Sequence, residues 1–107
     1  MKTSYRARKG QSKMIKHIVM WKFKDGTEKE REEFFAGLLA LKGQIPQLKS
    51  AEIRRSARPD AEYDACLISE FETTQDVDIY KKDPRHVKVS CLCKSIRTAR
   101  ASIDYEF

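Results

Sequence analysis

Two histidines and one carboxylate near the C-terminus are the residues with the clearest capacity for chemistry. His86 falls at the third position of a helix expected from Pro84 onward, three residues before Val89 and seven before Cys93, so it leans toward that helix's apolar stripe. An imidazole there could act as a general base without a metal if a carboxylate held its other ring nitrogen. The competing reading is a core histidine that ties helix to sheet, because buried polar groups need partners whether or not chemistry occurs. Asp104 stands beside Ser102 and Glu106 on the polar side of the last strand, where pairing with a Lys or Arg competes with a catalytic role. His17 alternates with Ile15, Val19 and Trp21, a setting for a satisfied core histidine or a ligand contact. Tyr80 could orient a substrate oxygen, and Trp21 could line an apolar pocket, each against plain packing.

Other chemistries lack their residues. Cys66, Cys91 and Cys93 contain no Cys-x-x-Cys, and with His17 and His86 they do not give zinc-ligand spacing. They read as buried reduced thiols, with Cys91 and Cys93 pointing to different sides of a helix. There is no Gly-rich phosphate loop and no nucleophile elbow. Arg54, Arg55 and Arg58 read as an exposed charged turn, and Glu28 to Glu33 as a solvated helix end. No metal and no cofactor are expected.

These residues need elements to hold them. Met14 to Lys24 is rich in Ile, Val, Trp and Phe, with Ile15, His17, Val19, Trp21 and Phe23 on one strand face and Ile18 and Met20 on the other. Apolar residues on both faces suit a central strand. After the Asp25-Gly26 turn, Thr27 with Glu30 predicts a capping box, and Phe34, Phe35, Leu38, Leu39 and Leu41 form the stripe of a helix that stops at Gly43. A second strand is expected over about Leu48 to Ala57 and a third over Tyr63 to Glu72. Thr73 with Asp76 caps a short helix through Tyr80; Asp83-Pro84 then starts another, ending near Ser95 or Ile96. The last strand, Ala99 to Phe107, alternates cleanly, with Ala99, Ala101, Ile103, Tyr105 and Phe107 on one face. The order β-α-β-β-α-β predicts an α+β, ferredoxin-like fold on a four-stranded antiparallel sheet. Helices on one face leave the other to be covered, and a second copy of the chain is the available cover, so a homodimer is expected.

The 107 residues allow one domain, and their 36% charged and 40% hydrophobic content is that of a folded chain. No apolar stretch approaches the ~20 residues of a membrane helix. The net charge of +6 comes from one end: five of the 22 Lys and Arg lie in residues 1–13 without an acid, leaving 17 bases against 16 acids in 14–107. Residues 1–13 read as a disordered basic tail, a tag or an upstream start, with Met14 opening the domain 14–107. No apolar run follows the basic residues as in a secretory signal, so a cytoplasmic location is expected. No second basic cluster in the sequence supports a nucleic-acid face.

MIKHIVMWKFKDGT, LKGQIP, YDACLISEFE, Tyr80 with DPRHV, and the terminal DYEF together resemble the stress-responsive α/β-barrel (Dabb) family from about Met14 to Phe107. The resemblance implies a dimeric α/β barrel in which two four-stranded sheets pack face to face. It extends, distantly, to cofactor-free polyketide cyclases of the olivetolic acid cyclase type. There the last histidine of an HPxHV motif is the base, paired with the aspartate of the terminal Asp-Tyr, which implies His86 paired with Asp104. Tyr80 and His17 match further residues of that site, whereas Asp83 replaces the first motif histidine and Ala65 another active-site histidine. The expectation is a homodimer that binds a small, largely apolar molecule near His86, with neither nucleic acid nor membrane as partner. A cyclase-like or isomerase-like enzyme using His86 as base is the alternative. Heme- and quinone-handling oxygenases on related barrels offer only an analogy of fold.

Overall fold

The computed structural model describes residues 13–107; of the expected tail, only Lys13 falls within them. The chain runs β1 (Ile15–Phe23), α1 (Glu28–Ala40), a 3₁₀ turn (Leu41–Gly43), β2 (Ser50–Arg55), β3 (Ala65–Phe71), α2 (Thr74–Lys82), α3 (Pro84–Ile96) and β4 (Arg97–Glu106). The four strands form one antiparallel sheet in the order β2-β3-β1-β4, the expected ferredoxin-like arrangement.

Burial alternates strictly along β1 and β3, so the helices cover one sheet face. Ile15, Val19, Trp21, Phe23, Leu67 and Phe71 point into that layer, where Phe34, Phe35 and Leu38 of α1 and Cys93 and Ile96 of α3 meet them. Leu39, expected in the buried stripe, is 42% exposed because it falls on the far side of α1. Gly37 lets α1 and α3 approach closely: a Cβ there would lie 3.3 Å from both methyls of Val89. That contact helps to set the position of α3, and with it His86, Ser90 and Cys93.

The helix starts differ. Thr73 Oγ1 accepts from the Asp76 N–H at 3.0 Å, and Asp83 Oδ1 from the Arg85 N–H at 2.8 Å, with Pro84 in the first turn of α3. The capping box expected at Thr27 does not form: its hydroxyl donates to the Lys24 carbonyl at 2.6 Å and accepts from Arg31 Nε at 3.0 Å.

The sheet face without helices carries Ile18, Met20, Ile68, Ala101, Ile103 and Tyr105, aligned across β3, β1 and β4 by the register. The alternation expected of β4 holds, and its apolar side is this open face. One irregularity interrupts β4. Ala99 pairs with Lys22 but Arg97 with Phe23, so Thr98 is the extra residue of a bulge.

Candidate functional site

The register of β1 and β4 sets His17 directly opposite Asp104 on the helix-facing side. His17 is 3% exposed and the Asp104 side chain 38%, so one ring is buried against a carboxylate open to water at the sheet edge. His17 Nδ1–H donates to Asp104 Oδ1 at 2.5 Å. A carboxylate can only accept, so this bond fixes the proton on Nδ1 and leaves Nε2 with its lone pair. Nε2 has no hydrogen-bond partner among the described residues. The Ser69 hydroxyl anchors the strand behind the ring by donating to the His17 carbonyl at 3.0 Å.

His86, half-buried in the first turn of α3, has Nδ1 3.2 Å from the Lys81 carbonyl oxygen. That oxygen lies in the last turn of α2, where helix carbonyls lack intrahelical donors. It too can only accept, so His86 also carries its proton on Nδ1 and turns a bare Nε2 away. The Tyr80 ring packs on the His86 ring at 4.5 Å between centroids. Tyr80 is 1% exposed, and its hydroxyl makes no hydrogen bond among the described residues. Burial pushes its pKa up and holds it protonated.

His17 and His86 line one cavity of about 30 Å³ whose floor is Val19, Trp21, Phe34, Leu38 and Leu67. It has room for a functional group or a pair of waters. Lys81, Ser90, Arg97 and Arg100 also border it, and they are shared with an outer basin of about 300 Å³ that Lys94 and Val87 help to enclose. Burial pushes both imidazole pKa values below 6.5. For His17 the Asp104 carboxylate opposes that shift, while Lys81 and Arg100 reinforce it. For His86 the Lys81 carbonyl opposes, and His17, Arg100 and Lys81 reinforce. The site therefore presents two neutral imidazoles as acceptors or bases.

The pairing implied by the family resemblance, Asp104 with His86, is corrected: Asp104 is bonded to His17, because strand register brings those two face to face. His86 shares the cavity but takes its orientation from the backbone of α2. Tyr80 stands behind His86 and is not on the wall of this cavity, whereas Trp21 forms part of its floor. Cys93 borders the cavity as a buried thiol whose pKa burial raises, which keeps it protonated and unreactive. Cys91 is exposed and Cys66 intermediate, so of three thiols expected to be buried only Cys93 is. All three are free, and no group of three or more His, Cys, Asp or Glu among the described residues could hold a metal. Arg54 and Arg55, expected in a turn, end strand β2 instead, where they are exposed and pair with Glu52 and Glu32.

Sequence reasoning missed Lys81, Ser90, Arg97 and Arg100. Ser90 and Lys94 follow His86 at intervals of four on α3, and Arg100 shares strand parity with Ser102 and Asp104; both are readable signals. Arg97 has the wrong parity for that face, and only the bulge brings it there.

The sequence profile of the stress responsive A/B barrel domain family matches residues 15–107. The chain belongs to this family. Among solved structures, this Dabb chain is similar to a dimeric protein of unknown function with a ferredoxin-like fold from Bacteroides fragilis, at 29% identity and TM-score 0.75, covering 88% of this chain and 96% of that one. A Dabb family protein from Mesorhizobium loti aligns at 23% identity and TM-score 0.73 over 87% and 95% of the two chains. The hydroxynitrile lyase of Passiflora edulis shares the fold at TM-score 0.81 and 16% identity, over 90% and 94%. No curated protein matches the Dabb chain. No helix among its described residues is long and apolar enough to cross a membrane.

Proposed function

We propose that this Dabb chain is a homodimer that binds a small molecule, each subunit using the cavity between the helix-facing side of the sheet, α1 and α3 as the inner end of its site. One observation carries the reading: two imidazoles on one cavity wall, each with its proton held on Nδ1 by a separate partner and Nε2 left without one. Such unpartnered nitrogens suit a hydroxyl or enol donor of a guest, and the apolar floor suits the carbon that bears it. The dimer is supported by the apolar open face of the sheet and by the Bacteroides fragilis relative, described as dimeric. Titration of full-length protein with phenol, followed by the imidazole nitrogen resonances of both histidines, tests the site. Joint movement of the two rings is expected; rings unmoved at saturating phenol would remove the reading.

A second reading, a cofactor-free enzyme related to the cyclases or isomerases, is favoured by the His17–Asp104 bond. The base is then His17 and not His86. Nε2 takes a proton from an acidic C–H, the imidazolium forms beside the Asp104 carboxylate and exchanges its Nε2 proton with solvent, and Nε2 then returns a proton to the carbanion or enolate. Proton NMR of hydrogen–deuterium exchange at the α-carbons of cyclohexanone should show wild type faster than His17→Gln. Exchange no faster than in buffer would leave binding alone.

A further inference from the structure

Four cations converge on the outer basin: Lys81 from α2, Lys94 from α3, and Arg97 and Arg100 from β4. None of them forms an ion pair among the described residues, and no carboxylate lines either the basin or the cavity beneath it. Elsewhere cations in comparable settings are matched: Lys16 with Glu70 at 3.3 Å, Lys22 with Asp64 at 3.1 Å, Arg85 with Asp83 at 2.8 Å. Lys29 and Lys88 are exposed and form no ion pair among the described residues either, but they line neither the basin nor the cavity.

The backbone has an irregularity that produces this convergence. In a regular ladder Thr98 would oppose Phe23, and Arg97 would fall on the open sheet face. The bulge instead sets Arg97 opposite Phe23 and keeps Arg100 opposite Trp21, so both guanidinium groups belong to the helix-facing side. The extra residue is tied down by Thr98 Oγ1–H donating to the Lys22 carbonyl at 3.3 Å. Like charges gathered around a concavity repel one another, and a bound anion relieves that repulsion. Two arginine forks offer it paired hydrogen bonds.

We propose that the basin is an anion site, and that the guest is a small organic acid whose carboxylate lies among Lys81, Lys94, Arg97 and Arg100 while its other end enters the His17–His86 cavity. This deepens the small-molecule reading and rests on it for the inner end. It also changes the expected guest: apolar only at its buried tip, charged at its mouth.

Benzoate, its neutral counterpart benzamide and oligothymidylate are titrated into full-length protein at low salt, with backbone, arginine Nε and imidazole resonances followed together. Benzoate should move Ser90, Arg97, Arg100 and both imidazoles. Its Kd should rise at least tenfold in Arg97→Gln and in Arg100→Gln, and should not change in Lys88→Gln, an exposed position on α3 outside the basin. Benzamide binding as tightly as benzoate would overturn the anion site and leave the small-molecule reading standing. Benzoate moving the arginines but neither imidazole would support the anion site and overturn the placement of the guest's other end in the cavity. Oligothymidylate moving the arginines where benzoate does not would make the basin a nucleic-acid surface and overturn the inference, as would no response to benzoate at all.

Discussion

A buried histidine has one ring and two nitrogens to satisfy, and His17 settles only one of them within the protein. Its bond to Asp104 favours the protonated ring, burial disfavours it, and burial wins, so the pKa is lowered; the same holds for His86 against the Lys81 carbonyl. Between those lowered values and 6.5 the unfolded chain binds protons that the folded chain refuses. Stability should therefore be level above pH 6.5 and fall as the pH drops below it. Urea midpoints from pH 8 to 5 check this, and His17→Gln should flatten part of the decline; a wild-type profile level down to pH 5 would contradict the burial argument. Asp104→Asn keeps the shape but removes the charge, and should lower the His17 pKa further. It should cost about 1 kcal/mol, below the usual range for a charged hydrogen bond because Asp104 is partly exposed. Ring titration by NMR separates this from the alternative: an unchanged His17 in Asp104→Asn would mean that the carboxylate does not orient it.

Helices and strands were legible where a local rule decides them and opaque where pairing does. Thr73-x-x-Asp76 and Asp83-Pro84 specify helix starts by their own side chains, and both caps form. Thr27 carried the same signal, but Arg31 and the Lys24 carbonyl claim its hydroxyl. Denaturation should show the contrast: Thr73→Ala costs about 1 kcal/mol through a lost cap, and Thr27→Ala less, since no helix N–H depends on it. Equal losses would mean that the Thr73 cap adds no stability of its own. The site needed a register that no local pattern contains. One signal pointed to it: in an antiparallel pair the start of β1 meets the end of β4, which aligns His17 with Asp104 once the two strands are known neighbours. Nothing in residues 97–100 announces a bulge, so the parity of Arg97 pointed the wrong way.

At the scale of the whole molecule the two sheet faces have separate tasks. The helix-facing side holds the core, both histidines and the basin, while the open side holds an apolar stripe that a single chain leaves in water. Ile103 is 59% exposed and Tyr105 43%, with Ile18 and Met20 of the central strand beside them. In the proposed homodimer this stripe is buried against its own copy in an isologous interface, where one substitution is felt twice about the two-fold axis. Ile103→Lys puts two ammonium groups into that seam. Sedimentation at micromolar concentration should give twice the 12.5 kDa chain mass for wild type and a single chain mass for the variant. A wild type that sediments as one chain would remove the dimer. Because Ile103 points away from the cavity, the monomeric variant should keep wild-type imidazole resonances and wild-type affinity for benzoate. A monomer that folds but loses both would place part of the site across the seam, since only the partner subunit could then supply what the single chain lacks.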